Sequence, residues 1–138
     1  MKILVSACLL GENCKYDGGN NKNPKVLDFI KGHEVIPVCP EVFGGLSVPR
    51  APSEIVNGNV INKKGDSVDF EFRTGAAVAL AQAVENQVDM AILKANSPSC
   101  GYGYIYDGSF SRRLIKGNGV FAELLEREGI KILTENDI

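Results

Sequence analysis

Histidine is almost missing from this chain: His33 is the only one in 138 residues. A hydrolase that relies on a histidine base therefore has a single candidate, and His33 lies between a helix-ending glycine and a predicted strand, a surface or structural position. Cysteine is also sparse. Four cysteines in a chain this long fall far below the density of a disulfide-stapled scaffold, and a 44% hydrophobic content makes staples unnecessary. Charge of one sign is not in excess either. With 15 basic and 17 acidic residues the formal net charge is -2, which gives no field to gather a nucleic-acid polymer. No apolar run is long enough to cross a membrane, since the first one, near Met1, meets polar residues after a strand's length. No strand-linked Gly-x-Gly-x-x-Gly or P-loop occurs, which removes the commonest nucleotide-binding readings. These absences leave the expectation of a reduced, cytoplasmic enzyme, in which separated cysteines more often bind metal or catalyse than staple.

The pattern of apolar residues is that of an α/β protein. Lys2 to Ser6, Glu34 to Val38, Val88 to Leu93 and Ile130 to Thr134 are short runs of the kind buried on both faces of a parallel sheet. Pro37 places the second run at a sheet edge or a strand end. Between the runs lie three predicted helices: Pro24 to Gly32, Phe70 to Asn86 and Val120 to Glu128. Glu54 to Asp69 reads as a small hairpin, turning at Asn57-Gly58-Asn59 or Lys64-Gly65-Asp66, and the stretch after Cys100 as a long tyrosine- and glycine-rich loop. The expected fold is a single three-layer Rossmann-like domain over residues 1–138, with a mostly parallel four-stranded sheet and a β-hairpin insertion.

Ligands of such sheets bind beyond the carboxyl ends of the strands. Cys8 follows the first strand by two residues, Cys39 follows the second by one, and Cys100 follows the third after a short polar loop. Three independent positions thus fall at one edge. Taken singly, Cys8 and Cys39 read equally well as buried core residues, whereas Cys100, between Ser99 and Gly101, gains little from burial. The spacings fit neither a zinc finger nor the tight cysteine run of a bacterial ferredoxin. Three thiolates from separate loops, without histidine, suit an iron–sulfur cluster with one open corner. Cys14 has three readings: a fourth ligand, a second active-site thiol or a spectator.

Ser6-Ala7-Cys8-Leu9-Leu10-Gly11 with Cys14 and Tyr16-Asp17-Gly18, then Cys39-Pro40-Glu41 with Gly44-Gly45-Leu46 and Pro49-Arg50, then Leu93-Lys94 with Ser97-Pro98-Ser99-Cys100-Gly101 resemble the thiouracil desulfidase family in its short, single-domain form. The resemblance implies a [4Fe-4S] cluster held by Cys8, Cys39 and Cys100. It also implies removal of sulfur from a thiolated nucleobase or related thiocarbonyl compound, giving the carbonyl product and sulfide, with the open iron acting as a Lewis acid. By the same match Glu41 is the acidic catalytic residue and Ser97 the active-site serine. The partner implied is a small thiolated molecule; nothing in the sequence specifies an oligomeric state. Asp17, Arg50 and Lys94 also belong to the motifs, Asp17 as a loop-ordering carboxylate and Arg50 as a substrate-orienting group, or each as half of a structural ion pair. Tyr102, Tyr104 and Tyr106 alternate as in an edge strand or a pocket wall, the former having the better claim. A non-catalytic iron–sulfur or metal-binding module, acting as sensor or sulfur carrier, is the alternative function.

Overall fold

Branched apolar residues with no polar interruption favour a strand that is covered on both sides, and Ile3, Leu4 and Val5 have no exposed surface. They form the centre of β1 (Lys2–Ser6). In the computed structural model, which describes residues 1–138, the chain continues through α1 (Pro24–Phe29), β2 (Glu34–Val38), α2 (Pro40–Phe43), β3 (Ser53–Val56), β4 (Asn59–Asn62), α3 (Asp69–Glu85), β5 (Met90–Leu93), β6 (Tyr104–Tyr106), β7 (Leu114–Lys116), α4 (Val120–Arg127) and β8 (Lys131–Thr134).

The four expected strands make one sheet in the order β2-β1-β5-β8, and every neighbouring pair is parallel. Leu4 is level with Ile36 on one side and Ala91 on the other, so apolar rows run across the sheet. Pro37 lies on β2 at the edge, where a missing N–H costs no ladder hydrogen bond. On one face Leu4, Val38, Ala91 and Leu93 pack with Phe72, Ala76 and Ala79 of α3 and Phe121 and Leu125 of α4. On the other, Ile3, Val5 and Ile92 pack with Leu9 and with Val26 of α1. Helices thus cover both faces. Fully burying a side chain such as Phe72 or Phe121 contributes roughly 1.5–3 kcal/mol, so these layers dominate the favourable side of folding.

Local chemistry sets the ends. Asn23 Oδ1 accepts from the N–H groups of Lys25 (3.0 Å) and Val26 (3.2 Å), and Pro24 supplies the preset first helical residue of α1. The helix stops at Phe29, before the glycine that the sequence suggests as its end. The first hairpin turns at Asn57-Gly58, one of the two expected places. Two elements lie outside the expected set: the short helix α2, which begins directly after Cys39, and β7. The tyrosine-rich segment expected as a long loop holds the antiparallel pair β6 and β7, and its alternating Tyr104 and Tyr106 lie on β6, in keeping with the edge-strand reading.

Helix α2 is held against α3 by backbone contact. A Cβ on Gly75 would fall 1.7 Å from the Pro40 carbonyl oxygen, and one on Gly44 would fall 1.9 Å from that of Glu71. Only glycine permits this approach, and it fixes the segment that carries Cys39 and Glu41. No helix is long and apolar enough to cross a membrane.

From β1 the chain passes to β2 on one side, and from β5 to β8 on the other. The loops after β1 and β5 therefore part company, leaving a crevice at the carboxyl edge between them, where α/β sheets bind ligands.

Candidate active site

A cavity of about 420 Å³ occupies this edge, and Cys8, Cys14, Cys39 and Cys100 all line it. Three of the four strands of the sheet contribute. Cys8 lies in the 3-10 turn after β1, Cys39 precedes α2 after β2, and Cys100 lies in the loop after β5. All four cysteines are free thiols. Cys39 Sγ lies 3.9 Å from the Cys14 carbonyl oxygen, a contact open to the protonated thiol.

Their environments separate the thiols. Burial pushes Cys100 up to about 12, despite help from the hydroxyls of Ser6 and Ser99. Burial raises Cys8 as well, opposed by Asn21 and by the charge of Lys94. Cys14 and Cys39 share a hydrogen bond that favours a thiolate on Cys39, lowering it to about 7, and holds the proton on Cys14, raising that thiol. Cys39 is thus the thiol that ionises most readily near neutrality.

The donor chemistry fits an iron–sulfur cluster. Four thiols and no histidine line the cavity, a donor set that thiolate-held iron–sulfur groups use. Cys8, Cys39 and Cys100 reach the cavity from three separate segments, as the ligands of one shared group would.

Beside the thiols runs a polar network. Ser99 Oγ donates to Glu41 Oε2 (2.9 Å), and Arg50 Nε donates to Glu41 Oε1 (3.1 Å). Ser97 Oγ lies 3.0 Å from Ser99 Oγ and accepts from the N–H groups of Ser99 (3.1 Å) and Cys100 (3.0 Å). The two residues suggested by the motifs, Glu41 and Ser97, are therefore linked, but through a residue the sequence did not single out. Ser99 is 2% exposed, and its place directly before Cys100 in the motif is the trace that sequence reading could have used.

The other motif residues divide. Arg50 is occupied by Glu41 and by two carbonyls, donating to Cys14 O (2.9 Å) and Ser47 O (3.2 Å), so it fits the ion-pair role. Lys94 pairs with Glu135 at 2.8 Å, and Glu135 also accepts from the Ala95 N–H (2.7 Å), tying the β5 loop to the end of β8. Asp17 orders the first loop, accepting from Gly19 N–H (2.8 Å), and does not line the cavity. Of the three tyrosines only Tyr106 reaches it, while Tyr102 and Tyr104 are exposed. His33 lies at the surface against the N-terminal amine, 3.0 Å away.

Phe110 and Arg112 line the opposite wall. Both have left-handed backbones, with φ of 58° and 62°. Glu54, itself buried, accepts from the N–H groups of Gly108 (3.0 Å) and Phe110 (3.1 Å), and so holds this turn against β3.

Comparison with known proteins gives one consistent result. The family model described as 2-thiouracil desulfurase matches residues 3–137. The protein YbbK of Bacillus subtilis (strain 168) is 39% identical over 146 aligned residues, covering 99% of this chain and 97% of its own. Among solved structures, the [4Fe-4S]-dependent thiouracil desulfidase TudS is 40% identical, with a TM-score of 0.92, over 99% of this chain and 92% of that one.

Proposed function

The chain belongs to the 2-thiouracil desulfurase family, and from that membership we propose that it is a [4Fe-4S]-dependent desulfidase acting on a thiolated nucleobase or related small thiocarbonyl compound. The reaction is hydrolytic: a C=S bond and water give a C=O bond and hydrogen sulfide, with no change of oxidation state. The observation that carries the reading is the meeting of the three motif thiols with the Glu41–Ser99–Ser97 network in one cavity.

Cys8, Cys39 and Cys100 are the residues that would hold the cluster, and their free thiols suit a reducing, cytoplasmic compartment. When bound by three thiolates, the cluster supplies an iron with an open position, a Lewis acid toward sulfur. The chain's own groups manage the protons. Glu41 is the proton acceptor for an attacking water, and its two oxygens are fixed by Arg50 and Ser99, so a proton arrives at a carboxylate of set orientation. Ser97 carries a hydroxyl whose single hydrogen turns between Ser99 and a bound ligand, while two backbone N–H groups hold the oxygen in place.

The test is made without oxygen. Protein prepared anaerobically is expected to contain iron and acid-labile sulfide in cluster proportion, and to release sulfide from thiouracil. Glu41→Gln should keep the iron and lose on the order of 100-fold or more in kcat. Full iron content without turnover of any thiolated base would sink the enzymatic reading and leave a cluster-binding module.

A further inference from the structure

We propose that Ser99 is a positioning residue for catalysis, holding Glu41 and Ser97 in one oriented hydrogen-bonded chain. The proposal rests on the functional reading of Glu41 and Ser97 given above. Its geometric basis is the number of hydrogens available. A serine has one hydroxyl hydrogen, and that of Ser99 lies on the 2.9 Å contact to Glu41 Oε2. The 3.0 Å contact between the two hydroxyls must then be made with the hydrogen of Ser97. Ser97 cannot choose otherwise cheaply, because its oxygen already accepts from two backbone N–H groups. The chain therefore has one direction, from Ser97 through Ser99 to Glu41, with Arg50 closing the far end at 3.1 Å.

The burial of Ser99 gives this direction its force. At 2% exposure no bulk water competes for the hydroxyl, and a polar group so buried is costly unless its partners are in place. The one rival acceptor is Cys100 Sγ, 3.8 Å away. If the hydroxyl served that sulfur, Ser99 would tune the cluster site and leave Glu41 alone. When Ser97 turns its hydrogen to a bound ligand, Ser99 keeps the Glu41 carboxylate from rotating.

Ser99→Ala removes only the hydroxyl from a well-packed place. Its expected effect is a fall in kcat of on the order of 10-fold to 100-fold with KM within about 2-fold, as for an interaction realised in the transition state. Iron and acid-labile sulfide per chain, and the cluster's visible spectrum, should stay at the parent values. In single-turnover assays the same substitution made on the Glu41→Gln background should cost less than about 3-fold, because a group acting through Glu41 has nothing left to position. An unchanged kcat, a spectral shift or iron loss that accounts for the whole deficit, or an undiminished cost on the Glu41→Gln background would each overturn the proposal. Full activity of Glu41→Gln itself would overturn instead the reading on which it rests.

Discussion

Four cysteines share one cavity, yet only Cys39 is poised as a thiolate near neutral pH. The Cys14 thiol is the main group that stabilises it, with the Val42 N–H and then the Arg50 charge adding smaller favourable effects against burial and the Glu41 charge. Alkylation follows thiolate fraction, so in the metal-free protein iodoacetamide should label Cys39 first, at a rate that rises through about pH 7 and then levels. The sign is fixed by the proton: below that pH the thiol is protonated and slow, above it the thiolate is already complete. Cys100, pushed up to about 12 and 4% exposed, and Cys14, which holds the shared proton, should both label slowly. Peptide mapping by mass spectrometry after brief labelling across the pH range checks this order, and equal labelling of all four thiols would contradict it. Cys14→Ala should remove the advantage by taking away the stabilising hydrogen bond. The sequence marked Cys39 because it stands directly after a strand, but its pairing with Cys14 depends on a loop folding back over the sheet edge. Spacing along the chain carries no record of that return.

The turn between β6 and β7 shows how one element can serve another's site. Phe110 and Arg112 are held in a backbone conformation that disfavours residues with a Cβ, at roughly 1–3 kcal/mol apiece, and Glu54 on β3 offsets the strain by accepting two N–H groups of the turn. Glu54→Ala should release it. The two N–H groups would lose their acceptor, the turn would relax, and two side chains would leave the cavity wall. KM for the thiolated substrate is expected to rise by on the order of 10-fold, with kcat and iron content little changed; Glu54→Gln, which keeps an acceptor oxygen, should lose much less. Steady-state kinetics of the two variants decides, and a kcat loss at constant KM would contradict a wall-holding role. This link was invisible beforehand, since Glu54 reads as an ordinary hairpin residue and its partners lie 54 and 56 positions away. The central sheet was legible for the opposite reason. Runs such as Ile3-Leu4-Val5 and Ala91-Ile92-Leu93 state their burial in their own composition. The alternating tyrosines hinted at β6, but its partner β7 is three residues long and exposed throughout, which leaves no apolar alternation to read.

At the scale of the molecule, the core and the site are nearly separate. The two apolar layers are built from strand and helix side chains, with Cys100 the only one of the three proposed ligands among their buried members. A chain of this length with such a core does not need a metal group to fold. The carboxyl edge differs: there the segments after β1, β2 and β5 meet around the cavity, joined by isolated contacts such as Arg50 to Cys14 and Ser99 to Glu41. Bound cluster should therefore stiffen this edge and raise Tm without being required for the sheet. A ligand binding only the folded state at 100 times its Kd stabilises by about 2.7 kcal/mol, enough to shift a domain of this size by several degrees. On removing iron with a chelator under anaerobic conditions, hydrogen exchange should accelerate in the segments after β1, β2 and β5, while amides of β1, β5 and α3 keep their protection. Those loops lose three bridging bonds at once, whereas Leu4, Ala91 and Phe72 lose no packing partner. Loss of protection spread evenly through the sheet would contradict the separation and make the cluster a condition of folding, with the thiols as staples first and ligands of a reactive centre second.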